Sequence, residues 1–271
     1  MPFRTLAVEW NDTGIVIAKG LFKEADLWLR ILFKEHGLAT AFAFGGARSR
    51  RRFVGCLDVM NLIAVRVKQP RENAYLGLEE AQLLRGPRRL REDPKRAGLA
   101  ANCLKFLDAL GLPEGAASEG FALADEMLAR LERPEPPDFL FPYSFRLRLA
   151  GLLGYAPDFE TCASCGQTVS GPAVFYPRDG RVLCPACAGR RREAGIALSP
   201  AGLDVLAIVQ QNYPLSWPAD DLPAAERRKL AQAIDGFVEF YLGYTWDRGR
   251  FSRALRRGPS EGDASSCSFK T

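Results

Sequence analysis

Residues 27–46 read LWLRILFKEHGLATAFAFGG. Leu27 to Phe33 and Leu38 to Phe44 are apolar runs rich in strand formers, and Glu35-His36-Gly37 between them supplies a turn. Upstream, Leu6, Val8 and Trp10 alternate with other residues. Asn11-Asp12-Thr13-Gly14 reads as a turn and Ile15 to Ala18 as a β-branched continuation. Downstream, Val54 to Val67 reads as a long apolar strand and Tyr75 to Leu84 as the last of the set. Roughly five strands in this length suit a small closed barrel, with an OB-fold first and an SH3-like barrel second. By alternation Phe42 and Phe44 share one sheet face, which is more often the core face.

At Arg85-Gly86-Pro87 the period changes. Leu99, Cys103, Phe106, Leu107 and Leu110 fall at helical spacing before a stop at Gly111-Leu112-Pro113. Further helices are predicted over Ser118 to Leu131, Phe141 to Leu153, Pro200 to Gln211 and Ala224 to Leu242. A proline-rich break lies at Arg133 to Pro137. The chain is therefore expected to be an α+β multidomain protein. Its expected parts are a barrel over 1–85, an all-helical domain over 86–158, a metal module over 159–193 and C-terminal helices over 194–257 that pack with the helical domain. The Ser/Gly-rich tail over 258–271 is expected to be disordered.

Of the seven cysteines, four form a pattern: Cys162-x-x-Cys165, 18 intervening residues, then Cys184-x-x-Cys187. Each Cys-x-x-Cys turn can point two thiolates at one metal, and two such turns complete a tetrahedral shell. Between them, Val174-Phe175-Tyr176 and Arg181-Val182-Leu183 flank Asp179-Gly180, which reads as a hairpin delivering the second knuckle. A zinc ion with four protein ligands leaves no open position for water, so Zn2+ here is expected to be structural. Cys56 and Cys103 sit in apolar surroundings and read as small buried hydrophobes, and Cys267 is isolated.

The net charge of +5 is unevenly spread. Arginines bunch over 48–52, 85–96, 190–192 and 248–257, a pattern that suits an anionic partner, nucleic acid first. Gly45-Gly46 opens a run carrying Arg48, Arg50, Arg51 and Arg52, which reads as a mobile arm able to follow phosphates without reading bases. Phe42, Phe44 and Phe53 lie close enough in sequence to be stacking candidates. Arg190, Arg191 and Arg192 follow the last knuckle and are available for phosphates. No stretch is long and apolar enough to span a membrane, and no secretory leader is visible, so a cytoplasmic, nucleoid-associated location is expected.

No phosphate loop of the G-x-x-x-x-G-K-[ST] type occurs. His36 is the single histidine and reads as a turn residue. Glu24 and Asp26 read as loop charges, and no active site assembles. A non-enzymatic binding protein is expected. The rivals are a nucleic-acid enzyme built on a zinc ribbon, and a zinc-ribbon interaction scaffold without annealing activity of its own.

Several segments resemble the RecO family of DNA repair and recombination mediators. They are Gly14-Ile15-Val16-Ile17, Glu24-Ala25-Asp26, Phe33-Lys34-Glu35-His36-Gly37, Gly45-Gly46-Ala47-Arg48 and Leu76-Gly77-Leu78-Glu79. Arg146-Leu147-Arg148-Leu149, leading to Leu152-Leu153-Gly154-Tyr155-Ala156-Pro157 and Cys162, is similar to that family's approach to its zinc module. Tyr241-Leu242-Gly243-Tyr244 and Arg250-Phe251-Ser252-Arg253 look like its C-terminal signature. The resemblance implies an OB barrel, a helical domain and a zinc module. It also implies binding of single- and double-stranded DNA and annealing of strands coated by single-stranded DNA-binding protein. Partnership with RecR in loading the RecA recombinase is implied too, as is docking on the C-terminal tail of the coating protein.

Overall fold

The computed structural model describes residues 8–70, 74–136, 138–218 and 221–253. The expected disorder of 258–271, Cys267, Leu6, Pro137 and the arginines beyond 253 lie outside the described residues. Five strands close a barrel: β1 (Val8–Leu21), β2 (Leu27–Phe33), β3 (Gly37–Ala43), β4 (Leu62–Gln69) and β5 (Leu76–Arg85). Their order is β1-β2-β3-β5-β4, and β1 returns to β4. Every pairing is antiparallel except β3 with β5, where Ala41 faces Leu76 and Phe42 faces Gly77. This is an OB-like ring, as the strand count suggested.

Two local readings are corrected. Asn11-Asp12-Thr13-Gly14 is not a turn but runs through the middle of β1, paired residue for residue with Ile63 to Arg66. The Asp12 carboxylate accepts hydrogen bonds from the Glu35 and His36 amides and meets His36 Nδ1 at 2.8 Å. The polar run thus secures the next turn rather than making its own. The second correction concerns Val54 to Val67, of which only the portion from Leu62 is strand. Phe53, Cys56 and Leu57 instead fold inward as a plug, all three buried in the barrel core beside Ile31, Ile63 and Val65. Burying Phe53 alone is worth about 1.5–3 kcal/mol. Asn61, fully buried, ties this plug by donating to the Cys56 carbonyl at 2.8 Å, and its own carbonyl accepts from the Val16 amide.

The helical region holds α1 (Arg89–Glu92), α2 (Pro94–Leu110), α3 (Ala117–Leu131) and α4 (Phe141–Leu152). A four-stranded sheet follows, made of β6 (Asp158–Cys162), β7 (Ala173–Tyr176), β8 (Arg181–Leu183) and β9 (Ile196–Leu198), with α5 (Pro185–Ala188) after β8. Next come α6 (Pro200–Gln211), α7 (Ala224–Leu242) and a hairpin of β10 (Tyr244–Asp247) and β11 (Arg250–Arg253). Asp93 caps α2 by accepting from the Lys95 and Arg96 amides, with Pro94 at the first helical position.

One core runs through these parts. Ile15, Ile17 and Leu32 leave the barrel side and join Phe106, Met127, Phe145, Phe175 and Phe237. Ordinary strand alternation lets consecutive residues of β1 serve both cores: Val16 points into the barrel, Ile15 and Ile17 into the helices. Phe159, Phe175 and Val182 carry the same core into the cysteine module. Cys56 and Cys103 are fully buried, as read from sequence.

Candidate metal centre and nucleic-acid interface

The second knuckle is delivered as the hairpin reading requires. β7 and β8 pair antiparallel, and the turn closes where the Asp179 and Gly180 amides both donate to the Tyr176 carbonyl. Gly180 has φ +63, a left-handed conformation that suits glycine. β8 then runs straight into Cys184, whose extended backbone starts α5 and brings Cys187 back one turn later. In the first knuckle the Gly166 amide donates to the Cys162 carbonyl, again with a left-handed glycine.

The four sulfurs of Cys162, Cys165, Cys184 and Cys187 lie within 4.8 Å of one another. A tetrahedron of thiolates at Zn–S distances near 2.3 Å has edges of about 3.8 Å, and Cys165 and Cys184 already stand 4.0 Å apart. The donor set therefore fits a tetrahedral thiolate metal. Burial pushes the Cys162 thiol up, but the amides of Cys184, Cys165 and Ser164 outweigh it and bring the group down to about 6. At Cys187 a hydrogen bond with Ser164 lowers the thiol. The neighbouring sulfurs prevail over it and push the group up to about 11. One thiolate is thus stabilised by backbone dipoles, and the cluster resists a second negative charge unless a cation neutralises it.

Among the three arginines beyond this centre, Arg191 is engaged. It pairs with Asp179 at 2.6 Å and lies over the Tyr176 ring at 4.4 Å. Arg190 and Arg192 are exposed. Arg191 thus braces the knuckle, a role that nothing in the linear run of arginines reveals.

The arginine run on the barrel is tied to its neighbours at several points. Gly46–Arg48 is a short 3-10 turn. The Asp26 carboxylate accepts from the Gly45 amide at 2.8 Å, and the Ala47 amide donates to the Ala25 carbonyl. Arg52 donates to the Phe44 carbonyl at 2.7 Å and stacks on Phe53. Its own carbonyl accepts from the Ala81 amide. Arg48, Arg50, Arg51 and Arg52 are all exposed on this segment, and of their guanidiniums the one on Arg52 is held by the barrel.

Of the three stacking candidates, Phe53 is withdrawn into the barrel core. Phe42 and Phe44 do share a face, but it is the outer one: Ala41 and Ala43 fill the interior instead. Phe22 and Tyr75 join them, two residues that sequence reading did not list as stacking candidates because they lie far from the arginine run in the chain.

A cleft of about 390 Å³ in the helical region is lined by Leu140, Phe141, Val209 and Trp217, with both Arg130 and Arg227 and the acids Glu135, Asp138 and Asp221 around it. Among the described residues no helix is long and apolar enough to cross a membrane.

Comparison with known proteins agrees with this architecture. The family described as "Recombination protein O N terminal" matches residues 6–87, and "Recombination protein O C terminal" matches residues 91–250. A DNA repair protein RecO of Nitratidesulfovibrio vulgaris (strain DP4) is 44% identical over 251 residues, 91% of this chain and 100% of that one. The DNA repair protein RecO of Lawsonia intracellularis is 39% identical over 90% of this chain and 99% of its own length. That of Anaeromyxobacter dehalogenans is 31% identical over 88% and 94%.

Proposed function

This chain belongs to the RecO family of DNA repair proteins, and from that membership we propose that it is a recombination mediator acting by binding rather than by turnover. It holds single- and double-stranded DNA, anneals complementary strands and, with RecR, helps load RecA onto strands coated by single-stranded DNA-binding protein. The observation that carries the DNA-binding part is the run of exposed Arg48, Arg50, Arg51 and Arg52 on a closed OB-like barrel. Arg190 and Arg192 add charge beside the cysteine module, and Arg191 adds its remaining donors.

The mechanism is electrostatic. Two complementary strands repel each other, and a basic surface that neutralises both lowers that barrier while releasing counterions. Phosphates carry no base identity, so any complementary pair is served. The coating protein is the second obstacle. Docking on that protein's acidic and apolar C-terminal tail addresses it.

The four cysteines hold one zinc ion. The metal supplies structural cross-linking: it fixes β6 to the β8–α5 turn and so holds the sheet under the C-terminal helices.

The test is strand annealing of complementary oligonucleotides, bare and precoated, by the purified chain. Acceleration in both cases, weakening with salt, is expected. A chain that binds no DNA at any salt concentration acts only as an interaction scaffold.

A further inference from the structure

The pairing register places Gly20, Trp28, Phe42 and Gly77 in one row across β1, β2, β3 and β5, all on the outside of the barrel. Gly20 is required there, because a Cβ at that position would meet the Trp28 indole at 2.5 Å. Around half-buried Phe42 stand three further rings from separate segments. Phe22 comes from the β1–β2 turn at 4.9 Å, Tyr75 from the approach to β5 at 6.0 Å, and Phe44 from the end of β3 at 6.3 Å. Phe44 and Tyr75 touch each other edge to face at 5.4 Å. Phe22, Phe44 and Tyr75 remain 49%, 38% and 54% exposed. A contiguous exposed aromatic patch of this kind marks a binding surface.

Its margins are cationic. Lys23 Nζ lies 5.5 Å from the Phe22 ring centroid, and Arg52 grips the Phe44 carbonyl. Glu24 is the exposed acid beside Lys23, and the Asp26 carboxylate accepts from the Gly45 amide at 2.8 Å. Ring faces flanked by cations fit an unpaired polynucleotide: bases lie on the rings and phosphates reach the charges.

We propose that Phe22, Phe44 and Tyr75, seated on Phe42, form a stacking platform for unpaired bases, giving this barrel a preference for single strands over duplex. A duplex offers phosphates to the arginine row but keeps its bases stacked on one another. The inference rests on the DNA-binding reading above and adds base contact to it.

The experiment compares three ligands at fixed salt with the full chain: a thymidine single strand, a strand of equal length with abasic sites, and a duplex. The abasic strand keeps every phosphate. Wild type should bind the thymidine strand tighter than the abasic one, by roughly fivefold or more for each stacked base. The Phe44→Ala/Tyr75→Ala double variant should bind the two strands alike and keep wild-type duplex affinity. Phe44→Trp, which preserves a ring, should retain the preference. If wild type binds abasic and thymidine strands equally, the platform meets no base, while the phosphate-based reading stands. If the double variant loses duplex as much as single strand, or alters self-association and leaves single-strand affinity intact, the surface serves another purpose. Wild type binding neither strand nor duplex removes both readings together.

Discussion

The backbone N–H of Cys184 donates to the sulfur of Cys162 across 3.3 Å, so the two knuckles touch through the polypeptide itself. That bond stabilises the Cys162 thiolate while the remaining sulfurs crowd around it. Protein purified without chelator should therefore contain about one zinc per chain. Such a site can supply on the order of 10 kcal/mol of apparent folding free energy. Because Phe159, Phe175 and Val182 link the module to the main core, Cys184→Ser should lower thermal stability of the whole chain as well as abolish metal binding. Metal analysis showing no zinc in stable wild-type protein would sink this account.

The arginine row calls for a gentler variant than removal of all four side chains. Arg52 anchors the Phe44 carbonyl and covers Phe53, so its loss would disturb the barrel as well as the charge. Changing Arg48, Arg50 and Arg51 to Ala removes three exposed cations and leaves that anchor. With 0.7 to 0.9 per phosphate contact, the slope of log affinity against log salt should flatten by roughly 2 to 3. Affinity should fall alike for unrelated sequences. A triple variant with the wild-type salt slope and annealing rate would reduce the row to plain surface.

The barrel, the helices and the cysteine cluster were legible because each depends on local period or spacing. What escaped depends on tertiary partners. Asn11 to Gly14 looks like a turn until β4 pairs with it, and Phe53, directly after the arginines, looks like a stacking residue until it plugs the barrel. Alternation correctly placed Phe42 and Phe44 on one face, but only barrel closure decides which face is outside. The Phe42 and Tyr75 rings sit far apart in sequence, brought together by the parallel β3–β5 pairing that no pattern within one strand announces.

Arg146 illustrates a family signature that is architectural. It is 3% exposed and pairs with Asp235. Its guanidinium donates to Asn102 at 3.0 Å and stacks on Tyr143 and Phe251. Asp235 is half exposed and water takes up its charge, so the loss lies in the buried guanidinium's hydrogen bonds and packing, and Arg146→Ala should cost roughly 1.5–3 kcal/mol in urea unfolding. Phe251 packs on Phe106 as well, so the C-terminal hairpin should loosen in the same variant. Faster amide exchange across β10 and β11 would report that. An Arg146→Ala protein as stable as wild type would show the pair to be dispensable.

Glu132 closes α3 and at the same time accepts from the amides of Arg88, Arg89 and Leu90 at 3.2, 3.0 and 2.9 Å, capping α1. Burial pushes its carboxyl up, but those three amides and the Arg89 charge prevail and hold it below the ordinary glutamate value. A folded value below the unfolded one means the unfolded chain takes up the proton first as pH falls. The stabilisation is therefore complete above the unfolded value, about 4.3, and is lost as pH drops through the folded value. Glu132→Gln keeps the shape and one acceptor but no charge, and should cost about 0.5–2 kcal/mol at neutral pH, the range of a lost helix cap. Measured by urea unfolding, the gap between wild type and variant should narrow on acidification, since protonated glutamate and glutamine then cap alike. A gap of constant size from neutral to acid would mean that Glu132 acts through packing and not through its charge.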